Sequence, residues 1–282
     1  MYEPIPSRHP WRSLRRAGLL AAGVYLAVLG LLLCLEDRLL YRPAPVARIW
    51  RAPLPELGIE EVALTASDGT SISAWFLAPP GWRPEAGAVL LSHGTNGNVS
   101  TWQRLAGRWQ KEMQRAVLVY DYPGYGKSGG RPSEPGCYAA AECAFAFLTQ
   151  EKKVAPGEVI LVGSSLGSAM ATQLAARHDN RLLVLVGAFT SFPDIAQAKV
   201  PCYPARWLVH NHFDNLGKIA HSRGPVFIVH GTKDGVVPFW MGKRLHARAA
   251  APRRFYVMPG HRHGHPHDAA FFDAVRAFLD QT

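Results

Sequence analysis

A serine that is to act as a nucleophile needs a base within hydrogen-bond reach and an acid to orient that base. Ser165 stands in Gly163-Ser164-Ser165-Leu166-Gly167, a GxSxG that breaks an apolar run of strand type at 159–162 and leads into an alanine-rich helical pattern. Such a setting lifts the hydroxyl clear on a sharp, strained turn, and small residues are needed two positions either side, where Gly163 and Gly167 stand. A helix beginning at Ser165 would aim its unpaired N–H groups and positive dipole end at an oxyanion formed there. Asp234 lies in HGTKDGVVP (230–238), just past another buried apolar run, where an orienting acid belongs. Its plain alternative is a turn residue or helix cap, and Asp194 is the next carboxylate in line. The base must come from PGHRHGHPH (259–267), which offers His261, His263, His265 and His267.

The other half of such chemistry is a pair of donors for the oxyanion. SHGTNGN (92–98) follows an apolar run, and the backbone N–H groups of Thr95 and Leu166 are the expected pair, each contributing roughly 3 kcal/mol to the transition state. His93 and His230 read as buried, hydrogen-bonded histidines bracing their loops. The four histidines at 261–267 are not expected to hold a metal, because no carboxylate or cysteine joins them. Cys34, Cys137, Cys143 and Cys202 show neither metal spacing nor a disulfide framework.

Eight runs could position these groups as strands: 59–64, 71–77, 88–92, 116–120, 159–162, 182–186, 226–229 and 255–258. The first two alternate around Ser67-Asp68-Gly69 as an antiparallel hairpin. The rest are short, apolar and mostly separated by helix-length segments, of which 135–148, 166–178 and 268–279 are clearest. That rhythm predicts an α/β fold with a mainly parallel eight-stranded sheet and helices on both faces. Residues 190–222 form an irregular insertion carrying Phe192, Tyr203, Trp207 and Phe213. It would sit over the carboxyl ends of the strands, as a cap selecting lipophilic substrates or as a satellite core.

With 282 residues, 48% hydrophobic and 18% charged, the chain can bury one large domain. Its net charge of +10 is scattered rather than gathered in a stripe with stacking aromatics, which argues against nucleic acid. Residues 1–16 form a basic flank. The uncharged run at 17–35, at ~1.5 Å per residue, approaches the ~30 Å of a bilayer core and reads as an uncleaved transmembrane signal anchor. It is too long for a usual signal core, no small-x-small site follows it, and Leu33 is too large for lipoprotein processing at Cys34. The N-terminus is expected inside, with the domain on the outer, periplasmic or lumenal side. Prolines at 43, 45, 53 and 55 make 36–57 a stiff tether, and the folded domain is expected over 58–282.

The chain resembles the α/β-hydrolase family of membrane-anchored serine hydrolases that includes the protein depalmitoylases. The matching stretches are DRLLYRP (37–43), HGTNGN (93–98), DYPGYGKSGG (121–130) with PSE (132–134), GSSLGS (163–168), FDNL (213–216) and HGTKDGVVP (230–238). The resemblance implies an acyl-enzyme mechanism on esters or thioesters without a cofactor. It departs at the base, where relatives show Gly-x-Gly-His. Counted from Pro259 as in those relatives, the base is His263. His265, preceded by Gly264, is the alternative; His261 stands too close to the strand end, and His267 belongs to the last helix. A peptidase or amidase on the same fold, and an inactive anchored binding module, are the competing functions. Acyl chain, head group and oligomeric state are not encoded in any motif.

Overall fold

Alternation inside the apolar runs decides the layering. The computed structural model of the chain, in which residues 10–264, 266 and 268–282 are described, has eight strands. They are β1 (Glu60–Thr65), β2 (Ser71–Leu77), β3 (Ala88–Ser92), β4 (Ala116–Tyr120), β5 (Val159–Ser164), β6 (Leu182–Val186), β7 (Val226–Gly231) and β8 (Arg253–Met258). Their order across one sheet is β1-β2-β4-β3-β5-β6-β7-β8. β1 and β2 pair antiparallel, as do β2 and β4, and all later pairings are parallel. Every residue of β3, β4, β5, β6 and β7 is buried. Side chains of successive residues point to opposite faces, so these strands feed two cores. Leu90, Leu161 and Ile228 face one; Val89, Leu91, Ile160, Val162, Phe227 and Val229 face the other.

Helices cover both faces. On the first lie α4 (Glu134–Ala146), α5 (Gly167–Arg177), α8 (Asn215–Ile219) and α9 (Phe239–Arg248); on the second, α3 (Val99–Met113) and α10 (Ala269–Leu279). Asn98 and Ser133 cap the N-termini of α3 and α4 by accepting from Ser100 and Gly136 N–H groups, and Asp268 caps α10 through Phe271. Two helix limits depart from the sequence pattern. The helix expected over 135–148 leaves regular α geometry after Ala146, where Phe147–Glu151 forms a wider π turn. The helix after GxSxG begins at Gly167 instead of Ser165, because the serine stands in a left-handed conformation no helix can contain.

Two units divide the chain, 1–39 and 40–282. α1 (Pro10–Cys34) lies in the first, and α2 (Glu36–Leu40) ends on the first residue of the second. The most apolar 18-residue window of α1 has a mean hydropathy of 2.3, and the helix Trp11–Cys34 is long and apolar enough to cross a membrane or to serve as a signal. The second unit starts earlier than the expected 58. Tyr41 and Ala44 are buried, and residues 42–54 hydrogen-bond along the domain, so the stretch read as a tether is largely part of the fold. Its prolines do exclude helix from 43 to 54, but the carbonyls of Ala44, Ile49 and Ala52 accept from the buried side-chain amides of Asn98 and Gln103 instead of from water.

Between β6 and β7, the 190–222 insertion folds as α6 (Phe192–Lys199), α7 (Ala205–Leu208) and α8. Of its four aromatics, Trp207 is 84% exposed while Phe213 is fully buried between Tyr41 and Tyr138. Phe213 is therefore core, not cap.

Candidate active site

β5 ends at Ser164, and the chain turns at Ser165 with φ of 51°. A non-glycine residue there stores of order 1–3 kcal/mol, which the surrounding packing must offset. The packing is visible in the two glycines. A Cβ at Gly163 would stand 2.5 Å from Gly167 O and 2.8 Å from Ala171 Cβ, and one at Gly167 would stand 2.0 Å from Ser92 O. Strand, turn and helix are thus pressed together at distances that only Gly permits. The Ser165 N–H donates to Val186 O at 2.9 Å, fastening the turn to the end of β6.

Gly94, after β3, approaches from the other side; a Cβ on it would lie 3.5 Å from Ser165 Cβ. Thr95 follows Gly94, and Leu166 follows Ser165. Among the described residues neither N–H donates to a protein acceptor, leaving both available at the position expected for an oxyanion. The loop that carries Thr95 is braced from below. His93 is fully buried, with Nε2 at 3.1 Å from Asp121 Oδ1 and Nδ1 at 2.6 Å from Gly94 O, and Tyr122 OH donates to His93 O at 2.5 Å. Asp121 also accepts from Val99 N–H at the start of α3. Burial pushes the Asp121 carboxyl above the usual range, against the hydrogen bonds from His93 and Val99. Asn98 side-chain N–H groups reach Ala44 O and Ile49 O at 3.0 and 2.8 Å, which ties the 42–54 segment to the same loop.

Asp234 and His263 come together. His263 Nδ1 lies 2.7 Å from Asp234 Oδ2, and Oδ1 accepts from the N–H groups of Val236 and Val237 at 2.8 Å each. The Asp234 side chain is 1% exposed, the His263 ring 23%. Burial raises the Asp234 carboxyl, but hydrogen bonds from His230, His263 and Val237 N–H overcome it and hold the group well below the ordinary carboxylate range. Gly187, with φ of 57°, runs beneath both: a Cβ there would stand 2.9 Å from His263 Cε1 and 3.5 Å from Asp234 Oδ2. Since Ser165 is fastened to Val186, Ser165 and His263 flank one dipeptide at the end of β6. Among the described residues no hydrogen bond joins Ser165 Oγ to His263.

His265, the alternative base, and His267 lie outside the described residues. His261 is exposed, with Nδ1 at 3.1 Å from Pro259 O. Asp194 is occupied elsewhere, accepting from Thr190 OH at 2.6 Å and paired with Arg206, which together hold its carboxyl low against burial. Among the described residues no group of three His, Cys, Asp or Glu could hold a metal ion. Gly187 and Asp121 carry roles that the motifs did not assign. A lone glycine after a strand was the signal for the first; for the second it was an acid opening DYPGYG next to no cation.

An eight-stranded, mostly parallel sheet with a GxSxG turn after its central β5 defines an α/β hydrolase. The family model described as "Alpha/beta hydrolase family" matches residues 89–214. An uncharacterized Mycobacterium tuberculosis protein, Rv2307c, is 32% identical over 255 residues, covering 88% of each chain, and the present chain belongs to the alpha/beta hydrolase family. Alpha/beta hydrolase domain-containing protein 17B of Xenopus laevis is 32% identical over 169 residues, 58% of this chain and 56% of that one. Among solved structures, the Pyrococcus furiosus esterase Pf2001 superposes with a TM-score of 0.68 at 17% identity, over 86% of this chain and 97% of its own.

Proposed function

We propose that the protein is a membrane-anchored serine hydrolase that cleaves carboxylic esters or thioesters of lipophilic acyl groups. The observation that carries this is the 2.7 Å contact between Asp234 and His263, beside the left-handed turn at Ser165. The esterase named among the fold neighbours and the 17B relative point the same way.

In this reading Ser165 Oγ attacks the acyl carbon while His263 Nε2 takes its proton. Asp234, bonded to Nδ1, holds the ring in the tautomer that leaves Nε2 free to accept. The tetrahedral oxyanion receives the N–H groups of Thr95 and Leu166. On collapse, the C–O or C–S bond to the leaving group breaks, and His263 returns the proton to the alcohol or thiol. Water then attacks the acyl-enzyme by the same route and releases the carboxylic acid. The partly exposed ring of His263 and the buried Asp234 suit this division of work, since the base must meet substrate while the acid must not. The helix 11–34 would anchor the chain, with the N-terminus inside and the domain on the outer face of the membrane.

Labelling by a fluorophosphonate probe tests the mechanism: the wild type should label and Ser165→Ala should not. A series of p-nitrophenyl esters of graded chain length, beside an acyl-CoA and a peptide amide, tests the substrate class. Preference for the amide would replace esterase by peptidase. A reporter fused after Thr282 that is active in the cytoplasm would reverse the orientation.

A further inference from the structure

We infer that His230 is a positioning residue for Asp234, a role that rests on the hydrolase reading above. His230 is the penultimate residue of β7 and is fully buried. Its Nε2 lies 3.0 Å from Val237 O and 3.4 Å from Asp234 Oδ2, the same oxygen that His263 engages. Both neighbours can only accept, so the hydrogen is assigned to Nε2, shared between the carbonyl as main acceptor and the carboxylate.

The opposite edge of the ring explains why it cannot turn. Nδ1 has no hydrogen-bond partner among the described residues and faces Gly242 of α9, where even a Cβ would stand 2.5 Å from it. Rotating the ring over would take the N–H away from both oxygens and gain nothing on the α9 side. Phe239 packs edge-on at 5.7 Å between centroids and closes a third side.

The contacts form a closed circuit. Asp234 Oδ1 accepts from Val237 N–H, Val237 O accepts from His230, and His230 leans on Asp234 Oδ2. The 234–237 turn is thereby held at both of its polar ends, and the plane of the carboxylate is aimed at His263. Two backbone donors alone would fix Oδ1 and leave Oδ2 free to swing. The titratable and charged groups around this cluster are His263 from the loop after β8, Lys199 of α6 through the Gly235 carbonyl, and Lys233 next in the chain. From β6 and α9 it is faced by Gly187, Phe239 and Gly242, which do not titrate. The low-lying Asp234 carboxyl, for which His230 is the first of the opposing hydrogen bonds, agrees with this circuit.

The test is the rate of fluorophosphonate labelling of the full chain in detergent, followed from about pH 5 to pH 9, where a base that must be deprotonated gives an acid limb. His230→Leu should slow the plateau rate by about 10- to 100-fold, the scale of a slightly misplaced catalytic group. It should also move the acid limb to higher pH, because the carboxylate turns the charge once shared with His230 onto His263. His230→Gln places an N–H at the same reach and should recover most of the rate and the wild-type midpoint. His230→Asn, one methylene shorter, should behave like Leu. If the Leu variant does not fold, the Gln and Asn pair, both amides in the same cavity, carries the comparison. A merely structural histidine would lower the amount of labelled protein in every variant without moving the midpoint, and that result overturns the inference. Equal rates and midpoints for Gln and Asn overturn it as well. A wild type that does not label overturns the hydrolase reading itself, and with it this role.

Discussion

Gly187 passes directly under the ring of His263, so close that an added Cβ would stand 2.9 Å from Cε1 and 3.1 Å from Nδ1. Its φ of 57° is also one that other residues adopt at a cost. Replacement by alanine therefore both strains the backbone and pushes the imidazole off Asp234. Gly187→Ala should lose about 10²-fold in kcat, the scale of a displacement near 1 Å, with a smaller change in KM. Wild-type turnover from a folded Gly187→Ala protein would mean that His263 is not the base.

Ser165→Ala should abolish turnover and leave melting temperature close to wild type, since a partly buried hydroxyl with no hydrogen bond to another side chain among the described residues contributes little to the fold. Asp234→Asn should lower kcat by on the order of 10⁴, through loss of the tautomer that the acid imposes. More than a few per cent of activity in the serine variant would sink the acyl-enzyme mechanism.

The depressed Asp234 carboxyl makes a pH prediction with a definite sign. Its folded value lies below the ordinary 3.8, so its stabilisation is present above that value and is lost as pH falls below it. Thermal melts of wild type and Asp234→Asn should differ near neutrality and converge as the pH drops through and below the carboxylate range. A gap that stays constant down to about pH 2 would show that the charge does not contribute.

Asn98 joins three things: the N-terminus of α3, the carbonyls of Ala44 and Ile49, and the loop of Thr95. Losing a cap costs about 1 kcal/mol, and leaving buried carbonyls without donors adds a comparable sum. Asn98→Ala should therefore destabilise by about 2–3 kcal/mol in denaturant titrations. A chain begun at Gly58 should show a similar deficit in stability and a lower kcat, whereas one begun at Glu36 should show neither.

The insertion separates into two behaviours that one pair of substitutions reads out. Trp207 projects into solvent, so Trp207→Ala should leave stability unchanged and, if α7 contacts acyl chains, shift preference along the ester series. Phe213→Ala should cost about 3–5 kcal/mol, as expected of a fully buried aromatic. Identical ester profiles for wild type and Trp207→Ala would assign the insertion to packing alone.

The strands were legible because a parallel sheet buried on both faces leaves continuous apolar runs, and β3, β4 and β6 fall on the expected residues. The turn at Ser165 was legible for the same reason that it is rare: two glycines two residues from a serine after such a run. Residues 40–57 were not, since their order comes from the side chains of Asn98, Ser100 and Gln103, some fifty positions away in sequence. No local pattern records a carbonyl's distant partner. The choice between cap and satellite core was open at Phe213 for a related reason, because aromatic content in an insertion does not tell which ring turns back under Tyr41 and Tyr138.

The sheet order has a consequence for how the site would fail. β5, which leads into the turn at Ser165, has neighbours on both sides, while β8, which leads towards His263, is an edge strand held by β7 alone, with Met258 its sole buried residue among those described. Local opening events draw on the least protected parts of a structure. Amides of β8 should therefore exchange with deuterium well before those of β5. An opened edge would carry the histidine away from an otherwise intact serine turn. Inactivation on warming would then be a reversible fraying of the rim, detectable before the protein unfolds.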